Sequence, residues 1–310
     1  MRAFVFPGQG SQAVGMGSAL SDASAAARAV FQEVDDALEQ HLFKLMRDGP
    51  EDQLTLTENA QPAIMANAIA TLRVLESGGI KLVDKADFVA GHSLGEYTAL
   101  CAAEAFDLAT TARLLKTRGQ AMQAAVPVGE GAMAVLLGLD FEAAAEVAAD
   151  AADGEVCQAA NDNGGGQVVI SGHAGAVARA MELAKQRGAK RALPLAVSAP
   201  FHCSLMGPAA DVMDAALAEV AMRAPLVPVY ANVTAEPVSD PFDIKRLLVE
   251  QVTGTVRWRE SVEAMWAAGV TEVVEIGGKV LGPMVKRIAP DMVTRSVVSM
   301  DDIEALAKEI

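Results

Sequence analysis

The chain has 310 residues, 52% of them hydrophobic and 21% charged, a balance that supplies a sizeable buried core and excludes an intrinsically disordered protein. Its formal net charge of −15 repels phosphate backbones, so general nucleic-acid binding is disfavoured, although one local basic patch for a single anionic partner is not. Three cysteines, Cys101, Cys157 and Cys203, without C-x-x-C spacing argue against a disulfide framework or a structural zinc site and fit a reducing compartment.

The first residues lack the basic and apolar regions of a signal peptide, and no uncharged apolar run reaches the length of a membrane span. A cytoplasmic address without membrane association is the expectation. Short apolar runs then alternate with longer helical patterns, the rhythm of parallel strands joined by crossover helices. Ala3–Phe6 reads as the first strand. The loop after it, Phe6-Pro-Gly-Gln-Gly-Ser-Gln12, fits a dinucleotide fingerprint at Gly8, Gly10 and Ala13. However, Pro7 intervenes, no acidic residue follows at the end of a convincing second strand, and the Gly-Lys-Ser/Thr of a phosphate loop is missing. The loop can instead place Gln12 beside a reacting centre, where its amide or backbone N–H donates to an oxyanion; for the glycines themselves a structural turn is the simpler reading.

Helical patterns follow at Asp22–Gln40 and Asn59–Ser77, then a buried strand at Asp87–Ala90. Gly91-His-Ser-Leu-Gly95 comes next, a G-x-S-x-G run between that strand and a helical segment, Leu94–Ala103. This is the context of a nucleophile elbow, which lifts Ser93 Oγ out of a sharp turn and points the backbone N–H of Leu94 at the same place. Chance occurrence in a glycine-rich chain is the bland alternative. Serine is a poor nucleophile unless a base takes its proton. Among the four histidines, His41 and His173 read as surface residues and His92 as a packing or hydrogen-bonding group. His202, in Ser198-Ala-Pro-Phe-His202, follows the nucleophile in the chain order of α/β-hydrolases and is the favoured base. No acid stands in an obvious place to orient it, a job that a backbone or amide carbonyl can also do.

The helix Leu108–Ala125 places Arg118 on its apolar stripe, with Leu114, Leu115, Ala121 and Met122 three or four residues away. A core-facing arginine needs an anion, supplied either by an internal salt bridge or by a ligand carboxylate gripped by both arms of the guanidinium. From Pro127 to Val197 the order becomes βαββαβ, with strands at Ala132–Leu139, Val156–Ala160, Gln167–Ser171 and Arg191–Val197 and helices at Phe141–Ala152 and Ala174–Arg187. The larger pattern then resumes, with strands at Val227–Ala231, Glu272–Ile276 and Val293–Val298. The expected fold class is α/β: a large α/β-hydrolase-like domain with a parallel sheet and a nucleophile elbow (1–126 and 198–310) around a small ferredoxin-like insert (127–197).

Taken together, these residues strongly resemble the malonyl-CoA:acyl carrier protein transacylase family, nearly end to end. The likeness includes the loop up to Gln12, Gly91-His-Ser-Leu-Gly-Glu-Tyr97, Arg118, Gln167-Val-Val-Ile-Ser-Gly-His173, Lys190-Arg-Ala-Leu-Pro194, Pro200-Phe-His202 and Val256-Arg-Trp258. The resemblance implies that Ser93 takes a malonyl group from coenzyme A as an ester and that His202 serves as base and then acid. It also implies that Gln12 and the Leu94 N–H form the oxyanion hole and that the backbone carbonyl of Gln251 orients His202. Arg118, Phe201, Met122 and Asn161 would bind the substrate, with Asn161 facing the cleft from the loop Asn161–Gly166. Phe201 is like the residue of malonyl-selective members rather than of those that take branched units. One departure is the turn Ile276-Gly-Gly-Lys279, one residue shorter than the family's usual form.

Malonyl-CoA is then a substrate, with no resident cofactor and no metal. The transient partner is an acyl carrier protein. Carrier proteins of this kind are acidic, so docking needs a local basic patch, for which Lys190, Arg191, Lys286 and Arg287 are the candidates. Three other readings stay open: an acyltransferase of polyketide synthesis, a serine esterase or thioesterase, and a catalytically silent carrier-binding scaffold.

Overall fold

The apolar runs form two separate sheets in a computed structural model that describes residues 1–310. The strands in chain order are β1 (Arg2–Phe6), β2 (Phe88–Gly91), β3 (Gly131–Leu137), β4 (Cys157–Asp162), β5 (Gln167–His173), β6 (Arg191–Pro194), β7 (Val229–Tyr230), β8 (Pro237–Val238), β9 (Glu272–Ile276) and β10 (Val293–Val297). The helices up to the second sheet are α1 (Ser18–Ala23), α2 (Ala25–Leu38), α3 (Leu42–Asp48), α4 (Glu51–Thr55), α5 (Thr57–Ser77), α6 (Leu94–Ala102) and α7 (Leu108–Ala125). Those that follow are α8 (Phe141–Ala151), α9 (Ala174–Gln186), α10 (Gly207–Glu219), α11 (Pro241–Thr253), α12 (Trp258–Ala267), α13 (Leu281–Ile288) and α14 (Met300–Ala307).

The larger sheet has the order β10-β9-β1-β2-β7-β8 and is parallel except for the hairpin partner β8 at its edge. Its centre is covered on both faces, which is why Ala3–Phe6 is an unbroken apolar run with no exposed residue. Phe6 pairs with Gly91, so β1 and β2 end side by side, and the loops that leave them meet at one carboxyl edge. Helix α5 lies under this sheet and packs against α2, α6 and α7. It is buried nearly all round, with apolar or small residues through most of its middle turns. Its buried polar side chains are paired: Gln61 with Thr57, Asn59 with the Gln53 carbonyl, Asn67 with the Gly277 carbonyl, and Thr71 with the Asn67 carbonyl.

The smaller sheet is antiparallel in the order β4-β5-β3-β6, with α8 and α9 packed together against it over their own apolar core. It meets the larger sheet's side of the molecule where Gly131 abuts Pro200 and where Asn161 bridges to Val256.

Several elements differ from the sequence expectation. The helix expected over Asp22–Gln40 is broken at Ser24, whose hydroxyl accepts from the Ala27 N–H and caps α2. Strand β4 runs on to Asp162, so Asn161 sits in the strand after a bulge rather than in a loop. Strand β6 ends at Pro194, three residues short of Val197. Only Val229–Tyr230 of the run Val227–Ala231 is laddered, because it lies next to the sheet edge and pairs with the short β8.

The shortened Gly-Gly-Lys turn leads into α13, and Glu275 at the end of β9 closes it. Its carboxylate accepts from the N–H groups of Val280, Leu281 and Gly282, at 2.8, 3.0 and 2.9 Å. The N-terminus of α13, a place where an anion binds readily, is thus filled from within. We predict that Glu275→Ala destabilises the fold by about 2–3 kcal/mol, because it strands these donors; a urea titration should show a lower midpoint with an unchanged slope.

Candidate active site

The G-x-S-x-G run turns at the carboxyl edge of β2. Ser93 takes φ 55° and ψ −113°, and α6 begins at the next residue, Leu94. A left-handed φ on a non-glycine residue costs of order 1–3 kcal/mol, so surrounding contacts must impose it. The two glycines show how tight the turn is. A Cβ on Gly91 would lie 1.9 Å from the Gly95 backbone, and one on Gly95 would lie 2.3 Å from the Phe6 carbonyl oxygen. Asn232 pins the turn from the far side: its Oδ1 accepts from the Ser93 N–H at 2.8 Å, and its Nδ2 donates to the Gly91 carbonyl at 2.7 Å.

Ser93 Oγ lies 2.7 Å from His202 Nε2, and His202 Nδ1 lies 2.9 Å from the Gln251 carbonyl oxygen. A carbonyl only accepts, so Nδ1 carries the proton and Nε2 offers its lone pair to the Ser93 hydroxyl. His202 is itself left-handed, at φ 57°, and 4% exposed. Burial first, and then the positive charge of Arg118, push its pKa down to about 3, against the opposing pull of the Gln251 carbonyl. The imidazole is therefore neutral at pH 7, the state a base requires.

Arg118 is 1% exposed, on the stripe where the sequence puts it. Its reach to the site depends on Gly119, where α7 crosses the start of α5 so closely that a Cβ would stand 2.5 Å from the Glu58 Cα. Its Nη1 donates to Gln61 Oε1 at 2.7 Å, and its Nη2 donates to Gln251 Oε1 at 2.9 Å and to Ser93 Oγ at 3.1 Å. Every one of these partners is neutral, and the buried Nε has no partner. The guanidinium also lies over the Tyr97 ring, 5.7 Å from its centroid. Burial pulls its pKa down, with Tyr97 and Glu96 acting in the opposite sense. The internal salt bridge weighed from the sequence is not what holds it.

These groups face a cavity of about 270 Å³. Gln12, Leu94, Met122, Asn161 and Phe201 line it as well, so the expected substrate and oxyanion residues converge on one space. Leu94 is the first residue of α6, and its N–H has no acceptor within the helix. Gln12 Oε1 accepts from the Gly10 N–H at 2.8 Å, which fixes the loop. An open cleft of about 770 Å³ lies elsewhere, around Arg73, Cys101 and Arg223, but it holds no nucleophile paired with a base.

The remaining histidines divide as follows. His92 Nε2 donates to Asn163 Oδ1 at 2.9 Å. His41 is exposed. His173 is not a plain surface residue: it is half-buried, and its Nδ1 accepts from the Val156 N–H at 2.9 Å. The four basic residues Lys190, Arg191, Lys286 and Arg287 are all exposed, and two of them, Lys190 and Arg287, flank the Gly164–Gly166 turn. Lys190 packs on Gly138, whose N–H donates to the Gly166 carbonyl, and Arg287 packs on Gly165 and donates to Gln167 Oε1 at 2.9 Å.

Sequence reasoning missed Gln61, Asn232, Glu96 and the side chain of Gln251. Glu96 carried a signal, because it is the one charge in the apolar helix Leu94–Ala102. Asn232 carried none.

The acyl transferase domain family matches residues 3–281. The chain is 46% identical to the malonyl CoA-acyl carrier protein transacylase of Bacillus subtilis, over 97% of this chain and 95% of that one. Among solved structures, the acyl-carrier-protein-S-malonyltransferase from Bartonella henselae superposes with a TM-score of 0.97 at 55% identity, covering 99% of this chain and 98% of that one. A malonyl-transacylase in complex with its type II PKS acyl-carrier protein superposes with a TM-score of 0.96 at 40% identity, covering 100% and 99%.

Burial and the neighbouring cation both disfavour the imidazolium, so protonation of His202 should begin only on strong acidification. Nitrogen NMR of the histidine-labelled protein is expected to show His202 as the neutral Nδ1–H tautomer from about pH 8 down to about pH 5. Titration at or above its ordinary value would refute this electrostatic account.

Proposed function

The chain belongs to the acyl transferase domain family, and from that premise we propose that it moves a malonyl group from malonyl-CoA to the phosphopantetheine thiol of an acyl carrier protein, by way of a malonyl ester on Ser93. The observation that carries this reading is the buried guanidinium of Arg118 beside the nucleophile, 3.1 Å from Ser93 Oγ and without an anionic hydrogen-bond partner. A substrate carboxylate one methylene away from the reacting carbonyl supplies that anion.

His202 Nε2 takes the Ser93 proton as Oγ attacks the thioester carbonyl. The oxyanion is met by the Leu94 N–H and by Gln12. As the C–S bond breaks, His202 returns the proton to the departing thiolate of coenzyme A. The second half runs in reverse: the carrier's thiol gives its proton to His202 and attacks the ester carbonyl, and Ser93 leaves as the hydroxyl. The Gln251 carbonyl holds the imidazole in one tautomer throughout, in place of an acid. The cavity of about 270 Å³ takes the acyl end and leaves the bulk of coenzyme A outside. Phe201 and Met122, both buried against it, limit room for a branch at the α-carbon.

We read the strand–Ser93–helix turn as a nucleophile elbow of α/β-hydrolase type, and the β4-β5-β3-β6 sheet with α8 and α9 as a ferredoxin-like insert of residues 127–197. Residues 1–126 and 198–310 then make the catalytic domain. The exposed basic residues Lys190, Arg191, Lys286 and Arg287, of which Lys190 and Arg287 flank the Gly164–Gly166 turn that follows Asn163, form the docking patch for the acidic carrier. A cytoplasmic setting agrees with three unpaired, buried cysteines. A carrier of fatty-acid synthesis is the favoured recipient, and a polyketide carrier is the second reading, which the likeness to a transacylase bound to such a carrier supports.

Intact mass after mixing with malonyl-CoA, acetyl-CoA or succinyl-CoA tests the reading. A malonyl adduct is expected that Ser93→Ala abolishes. Arg118→Ala should slow malonylation roughly a hundredfold or more and narrow the preference over acetyl; an intact preference rejects the clamp. Reversing the charges of Lys190 and Arg191, or of Lys286 and Arg287, should raise KM for the carrier while the rate of Ser93 malonylation stays the same. An unchanged KM rejects the patch.

A further inference from the structure

The three reacting groups share one support that lies outside the cavity. Glu96 is the third residue of α6 and 1% exposed, in a helix otherwise apolar or small. Its Oε2 accepts from the Asn232 N–H at 3.0 Å and from Gln251 Nε2 at 2.8 Å. Asn232 holds the Ser93 N–H and the Gly91 carbonyl, so it sets the turn. Gln251 holds three things. Its Oε1 accepts from Arg118 Nη2 at 2.9 Å, its Nε2 reaches the Ser93 carbonyl at 3.1 Å, and its own carbonyl accepts from His202 Nδ1 at 2.9 Å.

Burying a carboxylate is costly, and an apolar residue on this helix would be cheaper unless the oxygen were needed. The start of α6 lowers the cost, because a helix N-terminus favours negative charge. The oxygen also settles a choice. An amide rotates end for end at little cost, but only one orientation of Gln251 puts Nε2 against an acceptor and Oε1 against the guanidinium. Arg118 and the Ser93 carbonyl favour that orientation, and Glu96 reinforces it with the shortest of the bonds to Nε2, at 2.8 Å. With the amide reversed, an NH2 group would face Arg118, and the backbone that carries the His202 acceptor would lose its anchor.

Resting on the acyl-transfer reading above, we propose that Glu96 is a positioning residue: its Oε2, shared between Asn232 and Gln251, sets the relative places of Ser93, His202 and Arg118. Glu96 is not among the residues that line the cavity, so it acts only through these two neighbours.

Two variants of the full chain separate position from mere packing. Glu96→Ala removes the oxygen, whereas Glu96→Gln sets an amide oxygen in place of Oε2. Two rates are measured: steady-state transfer from malonyl-CoA to carrier protein, and labelling of Ser93 by a serine-directed fluorophosphonate. Glu96→Ala should lower kcat and the labelling rate about a hundredfold, the scale of a misplaced reacting group, and leave KM for malonyl-CoA nearly unchanged. Glu96→Gln should recover most of both rates. A folded Glu96→Ala with wild-type labelling overturns the proposal, as does a loss confined to KM or a Glu96→Gln no faster than Glu96→Ala. If Glu96→Ala does not fold, Glu96→Asp, one methylene short, takes its place with the same expectations. Labelling needs no acyl-CoA, so it decides the role of Glu96 even if the wild type proves not to accept malonyl-CoA.

Discussion

A buried guanidinium 3.1 Å from a serine hydroxyl governs the chemistry of this site. In a low-dielectric cavity the charge of Arg118 acts on everything near it. It helps keep His202 neutral, it favours an alkoxide on Ser93, and it calls for an anion that the protein does not place among its hydrogen-bond partners. The site resembles a lock from which one charge has been left out. On the proposed reading, a substrate with its own carboxylate restores the balance, and one without it leaves the arginine uncompensated at a cost.

Keeping that charge near the nucleophile requires a scaffold that is both crowded and polar. Crowding is clearest at Gly91, Gly95 and Gly119, where backbones approach too closely for any side chain. The polar part is the network of Gln61, Gln251, Asn232 and Glu96, whose members satisfy one another and the reacting groups. Glu96 is held near a pKa of about 7, raised by burial against the hydrogen bonds of Asn232 and Gln251 and the attraction of Arg118. Its oxygen accepts the same two N–H bonds whether its partner oxygen is protonated or not, so the network tolerates either state. Neutral amides between the arginine and the glutamate keep the two charges from closing on each other.

Much of this was legible in the sequence. The G-x-S-x-G run between a strand and a helix located the sharp turn that carries Ser93, because only glycine fits at Gly91 and Gly95. Arg118 stood out because a charge on an apolar stripe contradicts the helical pattern around it. The same rule applied to Glu96 would have found the support behind the turn. The strand and helix order of residues 131–194 also anticipated the second sheet. What misled was local: Ser24 ended a helix that periodicity alone would continue, and the bulge in β4 kept Asn161 in the strand.

By itself the sequence determined which residues were candidates for the chemistry and the kind of element each rides on, because turn geometry and amphipathic period are properties of neighbours along the chain. Tertiary structure alone decided that Asn232 pins the turn and that Gln61 and Gln251 hold Arg118 without cancelling its charge, and it brought the Gln251 carbonyl, which the family resemblance already pointed to, within 2.9 Å of His202 Nδ1. These bonds join residues 49 to 141 positions apart, and no local pattern encodes them. They exist because β1 and β2 end together and α7 crosses α5 at Gly119, constraints that arise only when distant segments are packed against one another.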